Sequence, residues 1–351
     1  MELRVDVQKN FGSFSFAANF TASGVSTGVF GPSGSGKSTL VKLIAGLHKP
    51  DSGVIIIDGE TLFDSSRRQN IPVEERRVGM VFQHPNLFPH LNVKRNLLYG
   101  YRRCPSQHRR ITLSDLVDVL EIGHLLDRGV NNLSGGEKQR VSIGRTVLSN
   151  PRLLLMDEPL SALDDNLKYQ IITYLKNVSK RFGIPYLFIS HSLKEMRLMS
   201  DQVLVVEDGR IADQMPTEQL ALSRMGQSLT GYINILKLKD PRLRDELHAY
   251  PWGDGELLIV AGEGQPGTLF ELSSRDIILL RRFPHAISAR NLLKCTVVDA
   301  FPSGHRIGVK LDCGGEHLVA EVTLPAAREL EIETGRELYA AIKASAFRQI
   351  M

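Results

Sequence analysis

The run Val25-Ser26-Thr27-Gly28-Val29-Phe30, followed by Gly31-Pro32-Ser33-Gly34-Ser35-Gly36-Lys37-Ser38-Thr39 and then Leu40–Leu47, decides the fold. An apolar strand feeds a glycine-rich loop, and a helix opens at once. Glycines in that loop let backbone N–H groups close around phosphate oxygens, while the helix N-terminus faces the same negative charge. Lys37 adds a positive charge near the β- and γ-phosphates, and the Ser38 hydroxyl is the expected Mg²⁺ ligand. The order strand, loop, helix separates this reading from a Gly/Ser turn that happens to precede a lysine. The chain is expected to bind a nucleoside triphosphate.

Outward from the loop, the chain alternates strands and helices. Leu3, Val5 and Val7 share one strand face, Phe14 and Phe16 another, and Val54–Ile57 follows the Ser52-Gly53 turn. Val78–Gln83 reads as a short buried strand and Leu153–Met156 as a strand buried on both faces. Helix Leu167–Phe182, strand Tyr186–Ser190, helix Ser192–Met199 and strand Val203–Glu207 continue the pattern, and Arg210–Ala212 follows the Asp208-Gly209 turn. Such alternation implies an α/β domain with a mainly parallel sheet, expected over residues 1–228. A mostly helical insertion is expected over about 84–150. Beyond Leu222 the pattern changes to short apolar runs parted by Gly, Pro, Ser or Asp: Leu257–Val260, Leu269–Leu272, Ile277–Leu280, Thr296–Phe301, Arg306–Leu311, His317–Thr323 and Glu337–Lys343. These read as a small all-β barrel or sandwich that Pro284–Ser288 divides, with 229–287 as a linking β segment and 288–351 as the barrel.

With 351 residues, the chain has room for two domains. The hydrophobic fraction of 42% and charged fraction of 23% are those of an ordinary globular protein. A net charge of +4 without a long Lys/Arg block argues for a solvated surface rather than a nucleic-acid groove; Arg102-Arg103 and Arg109-Arg110 are the densest basic patch. Cys104, Cys295 and Cys313 are few and widely spaced, and read as free thiols in a reducing compartment. No signal-peptide core or apolar run of membrane-spanning length is visible.

Asp157-Glu158-Pro159 ends the Leu153–Met156 strand. That edge lies beside the phosphate loop, so Asp157 can hold Mg²⁺ through water and Glu158 can orient or deprotonate an attacking water. Leu133-Ser134-Gly135-Gly136-Glu137 is a second anion cradle, with Ser134 as N-cap, two glycines permitting close approach, and a helix behind them.

The set Gly31–Thr39, Gln83, Leu133–Glu137, Asp157-Glu158, Ser161-Ala162-Leu163-Asp164 and His191 resembles the ATP-binding cassette ATPases of membrane transporters, in family order, over about residues 1–225. The resemblance implies a head-to-tail homodimer in which Ser134–Glu137 of one copy caps the γ-phosphate held by Lys37 of the other. It implies that Gln83 reaches Mg²⁺ or the attacking water, that Asp164 communicates across the dimer seam, and that His191 bonds the γ-phosphate and holds water with Glu158. An aromatic residue stacks on adenine in this family; Phe11 is the candidate, with Phe14 and Phe16 competing. Transmembrane permease subunits would dock near His84–Tyr101, where Leu87, Phe88 and Leu91 serve either docking or core packing.

The stretch Ser288-Ala289-Arg290-Asn291 and the segment Lys343-Ala344-Ser345 resemble the small Mop/TOBE-type molybdenum-binding barrel, and the whole chain resembles the ATPase subunits of molybdate importers. That resemblance implies ATP and Mg²⁺ as cofactors, a periplasmic or lipid-anchored oxyanion-binding protein acting through the permease, and a peripheral position on the cytoplasmic face of the inner membrane. It makes Ser288, Arg290, Asn291, Lys343 and Ser345 the oxyanion candidates. The alternative is that these residues merely cap and solvate the barrel. Lys-Ala-Ser stands where the family has Lys-Ser, which puts Ser345 in question. The other readings are an importer for sulfate, a sugar, a polyamine or ferric ion, or a soluble cassette protein outside transport.

Overall fold

A computed structural model describes residues 1–228, 230–260 and 268–350. The chain divides into two compact units, Met1–Glu218 and Gln219–Met351.

The first unit is built on an eleven-stranded sheet. Five of its strands are parallel neighbours: Gln202–Glu207, Ser26–Phe30, Tyr186–Ile189, Leu153–Asp157 and Val78–Val81, in that order. Leu153 through Met156 are all buried, as a strand covered on both faces requires. The remaining strands form a wing that makes the sheet mixed rather than mainly parallel. Glu2–Asn10 pairs antiparallel with both Ser15–Ser23 and Ser52–Ile57. The short link Phe11–Phe14 closes the first pair, a turn parallel strands could not use, whereas the second pair joins segments far apart in the chain. Their period-two pattern is strict: Leu3, Val5, Val7, Phe16, Ala18, Phe20 and Ala22 face the core while the residues between them are exposed.

The helix Lys37–Ala45 buries Leu40, Val41, Leu43 and Ile44 in this core. Its far end is fixed by Arg76, which is fully buried and donates to the carbonyls of Leu43 (3.1 Å), Ile44 (2.8 Å) and Ile71 (2.9 Å) and to Asn70 Oδ1 (2.8 Å). A cation at a helix C-terminus meets the negative end of the helix dipole, so carbonyls hold this guanidinium and, among the described residues, no carboxylate pairs with it. Gly46 has φ +85°, and a Cβ there would lie 2.6 Å from Arg76 Nε.

Between residues 84 and 150 the chain forms the helices Val93–Tyr101, Leu113–Leu120 and Gly135–Val147. Asn92 and Thr112 cap the first two by accepting from the N–H groups of Arg95 (2.9 Å) and Asp115 (3.2 Å).

The second unit is all β apart from short helical segments, and the five strands Ile277–Leu280, Glu337–Ile342, Asn291–Ser303, Arg306–Cys313 and Glu316–Thr323 form one sheet in that order. Described strands between 230 and 280 share their core with the later ones. Tyr250, Leu257, Phe270 and Leu279 share one apolar core with Val297, Leu311, Leu338 and Phe347. In addition, Arg348–Gln349 pairs with the strand Thr268–Ser273. Pro284–Ser288 therefore interrupts the sequence but not the core.

The expectation of three free thiols is corrected. Thr296 lies opposite Asp312, so the next register position places Cys295 against Cys313 with a Cα–Cα distance of 4.4 Å, and the two form a disulfide. Strand register, which the spacing of cysteines does not reveal, brings them together. Cys104 is free and buried. Among the described residues no helix is long and apolar enough to cross a membrane.

Candidate functional site

Parallel strands deliver their C-terminal ends to one edge of a sheet, and the loops that leave this edge carry the candidate residues. Phe30 ends one strand and the phosphate loop follows. Gly34 (φ +79°) and Gly36 (φ +108°) take left-handed conformations that a side chain would disfavour. A Cβ on Gly31 would lie 2.1 Å from the Val206 carbonyl oxygen, so only glycine lets the loop start this close to the neighbouring strand. Lys37 is buried and donates from Nζ to the carbonyls of Gly31 (2.9 Å) and Pro32 (2.7 Å). Burial pulls its ammonium below the ordinary lysine range, while Glu158 and Asp157 act to raise it. Ser35 Oγ is buried within the loop and, among the described residues, has no hydrogen-bond partner.

Next along the edge, Ser38 donates from Oγ to Asp157 Oδ1 at 2.9 Å. Burial raises the Asp157 carboxyl above the usual range, opposed by that hydrogen bond and by Lys42 and Lys37. Glu158 sits at φ +46°, a conformation rare for a non-glycine residue, and its Oε2 lies 3.6 Å from Nδ1 of His191. His191 follows the strand Tyr186–Ile189 and is largely exposed. Gln83 follows the strand Val78–Val81, also exposed. Lys37, Ser38, Asp157, Glu158 and His191 thus form one linked group, with Gln83 on an adjacent strand end.

Ser134–Glu137 forms a separate helix start. Ser134 Oγ accepts from the Glu137 N–H (3.2 Å), and Glu137 Oε2 accepts from the Ser134 N–H (2.7 Å). This reciprocal cap holds the Glu137 carboxyl below its usual range through the Ser134 backbone bond. It leaves the first-turn N–H groups of Gly135 and Gly136 pointing out of the helix end. A Cβ on Gly136 would meet Leu167 at 3.1 Å, and one on Gly135 would meet Leu163 at 3.7 Å. The loop ending at Asp164 therefore packs beside this helix start. Asp164 caps its own helix by accepting from the Leu167 N–H (3.0 Å).

Of the three aromatic candidates, Phe16 is buried and covers Gly36. Phe11 is exposed, stacks on Phe14 with ring centroids 6.4 Å apart, and meets His48 edge-on at 5.6 Å.

Two groups of positioning residues escape the sequence reading. Ser190, buried ahead of His191, donates to Glu195 Oε2 (2.5 Å) and accepts from the Ser192 N–H (3.0 Å), while Lys168 lies 3.5 Å from Glu195 Oε1. This network fixes the turn that carries His191. The segment after Gln83 is gripped from two helices. Arg145, burdened by desolvation, donates to the carbonyls of Asn86 (2.9 Å) and Pro85 (3.2 Å) and lies 5.0 Å from the Phe88 ring centroid. Asn96, fully buried, accepts from the Phe88 N–H (2.9 Å) and donates to the carbonyls of Phe88, Leu91 and Asn92 (3.1 Å each). Arg145 and the Ser134–Glu137 start belong to one helix, so that helix touches the Gln83 segment directly. Phe88 also packs on Tyr99, with ring centroids 4.3 Å apart. No motif marks these residues, because their role depends on tertiary contacts.

In the second unit, Asn291 lies opposite Ile342, so Arg290 and Lys343 fall at the same end of a strand pair. Ser288, Arg290, Lys343 and Ser345 are all exposed. Asn291 is 2% exposed, accepts from the Leu258 N–H (2.6 Å), and donates to the carbonyls of Leu258 (2.9 Å) and Ile342 (3.3 Å). Its amide joins strands of this unit. Ala344, the inserted residue, is buried in a short helical turn, which leaves Lys343 and Ser345 both outside.

Residues 18–161 match the ABC transporter family and residues 287–348 the TOBE domain. A molybdenum import ATP-binding protein ModC of Rhizobium meliloti is 40% identical over 98% of this chain and 98% of its own length. The ModC of Mannheimia succiniciproducens is 37% identical over 98% of this chain and 99% of its own. The chain belongs to the ModC family of ABC transporter ATPases. Among solved structures, cbiO1 of Clostridium perfringens, part of the ABC transporter complex cbiONQ, superimposes with a TM-score of 0.54 at 26% identity, covering 62% of this chain and 89% of that one. The dimeric structure of MJ0796, a bacterial ABC transporter cassette, gives a TM-score of 0.50 at 26% identity over 62% of this chain and 99% of that one. The ModC members thus extend the likeness through both units.

Proposed function

We propose that this chain is the ATPase subunit of an importer, converting ATP hydrolysis into uptake of molybdate or tungstate through separate permease subunits at the cytoplasmic face of the membrane. The observation that carries the enzymatic half is the joining of Lys37, Ser38–Asp157 and Glu158–His191 at one sheet edge. The phosphate loop N–H groups and Lys37 hold the β- and γ-phosphates of ATP. Ser38 Oγ and the Asp157 carboxylate are hard oxygen donors 2.9 Å apart, a set that suits Mg²⁺, whose bound charge would neutralise phosphate oxygens. Glu158 accepts a proton from water as that water attacks the γ-phosphorus, and the bond to the ADP oxygen breaks. His191 orients the water against Glu158, and Gln83 senses the γ-phosphate. Positioning and charge do most of the work in such a transfer.

The Ser134–Glu137 helix start offers N–H groups to an anion that a second copy brings on its own phosphate loop. Two copies in head-to-tail arrangement therefore complete two sites, with Asp164 at the seam and Phe11 against adenine. Closing and opening of that pair would move the permease through the gripped segment 84–91. A periplasmic or lipid-anchored binding protein would deliver cargo to the permease.

Likeness to ModC over both units supports molybdate as cargo, and Arg290 beside Lys343 at one strand end supports oxyanion binding by the second unit. Exposed Ser288 and Ser345 would add hydroxyl donors. Asn291 contributes by holding this end in shape. The test is ATPase activity of the complex reconstituted with its permease and a binding protein. Stimulation by molybdate-loaded but not sulfate-loaded binding protein is expected; equal stimulation by both would remove the cargo assignment.

A further inference from the structure

The parallel strands that end at the nucleotide edge begin at a second site. Arg77 and Arg152 immediately precede the strands Val78–Val81 and Leu153–Asp157, and Ile184-Pro185 precede Tyr186–Ile189. These residues line a cavity of about 240 Å³, with Arg110, His108, Ile111 and Phe182 among the other walls. A five-residue strand spans about 17 Å, so this cavity lies at the opposite end of the sheet from Asp157 and Glu158.

Its charge is unbalanced. Three arginines face one carboxylate, Asp58, which already accepts from the Glu2 N–H at 2.7 Å. Among the described residues the Arg77 and Arg110 side chains have no hydrogen-bond or ion-pair partner, while their backbones are fixed. The Arg77 carbonyl accepts from the Arg152 N–H (2.8 Å), and Asn150 Oδ1 accepts from the Arg110 N–H (2.7 Å). Arg152 spends Nε on the Arg76 carbonyl (3.0 Å) and Nη1 on Glu60 (2.5 Å), but its Nη2 is buried with no partner among the described residues. A buried guanidinium N–H left unpaired is costly, and an anionic oxygen is the acceptor that would satisfy it.

We propose that this cavity binds a small phosphomonoester dianion, held by Arg77, Arg110 and Arg152, with its organic part against Phe182 and Ile111. Guanidinium forks match phosphate oxygens, and two negative charges on the ligand offset the local excess of cations. The volume lies just below the usual small-ligand range of about 300–1,000 Å³, which restricts the occupant to a compact molecule.

The test uses the full chain with its nucleotide site saturated by ADP, titrated calorimetrically with phenyl phosphate. One-to-one saturable binding is expected, at least tenfold weaker in the Arg77→Ala/Arg110→Ala double variant, whose ADP affinity and melting temperature should match the parent. Inorganic phosphate is expected to bind more weakly than phenyl phosphate, and phenol not to bind. Absence of saturable binding, or equal affinity in parent and double variant, would overturn the site. Equal affinity for inorganic and phenyl phosphate would overturn the assignment of an apolar subsite. If the double variant melts early, Arg110→Ala alone, an exposed position, carries the same comparison.

Discussion

Arg145→Met would cut the link between the Ser134–Glu137 helix and the segment that follows Gln83. The guanidinium makes two charge-assisted bonds to carbonyls, each worth about 1.5–3 kcal/mol. Its contact with the Phe88 ring adds about 0.5–2 kcal/mol. Against this stands the cost of burying the charge, and water can reach the carbonyl of exposed Asn86 once the arginine is gone. The expected net loss is about 2–3 kcal/mol, confined to the segment. Native-state hydrogen exchange should show residues 86–91 opening about 30- to 150-fold more readily, since 1.4 kcal/mol is tenfold. ATP affinity should change less than threefold, because Lys37 and the phosphate loop lie on other elements. In the reconstituted transporter, coupling of hydrolysis to transport should fall more than hydrolysis itself. Unchanged exchange over residues 86–91, or a loss of ATP affinity as large as the loss of local protection, would refute the reasoning.

Further outcomes follow from the nucleotide edge. Glu158→Gln should lower turnover by about 10²–10⁴ while leaving ATP binding intact, read by single-turnover kinetics and equilibrium binding. Asp157 has a raised folded pKa, so the folded state disfavours its ionised form. Its contribution is favourable below the unfolded carboxyl pKa and is lost as pH rises through the folded pKa. Asp157→Asn should consequently leave the nucleotide-free chain as stable or more stable at pH 7, yet weaken Mg²⁺-dependent ATP binding; thermal melts at pH 5 and pH 7 check the sign. Ser134→Ala should cost about 0.5–2 kcal/mol in stability of its helix, seen as faster exchange in the first turn. Glu137, with a depressed folded pKa, should make the same turn loosen as pH falls through that pKa, in the parent but not in Glu137→Gln.

Where a feature depends on local chemistry, it is visible in the chain. The left-handed glycines of the phosphate loop, the Ser134–Glu137 cap and the buried Leu153–Met156 strand each announce themselves in consecutive residues. The antiparallel wing is harder to see, because period-two strands do not state their partners. Long-range contacts are harder still. Cys295 meets Cys313 through register, and Arg145 reaches Pro85 and Asn86 through the packing of a helix on a loop. Asn291 shows the same limit: its residue type suits ligand binding, but its place in the strand pair commits the amide to Leu258 and Ile342. In sequence the insertion of Ala344 puts Ser345 in question, and folding turns Ala344 inward and leaves Ser345 exposed.

The interlocked core of the second unit carries a practical consequence for dissecting this protein. A fragment cut at the Pro284–Ser288 bend would leave Val297, Leu311 and Leu338 without Tyr250, Leu257 and Phe270, and would strip the final strand Arg348–Gln349 of its partner. Such a truncation should aggregate, whereas one beginning near Gln219 retains every contributor to that core and is the smallest piece worth expressing.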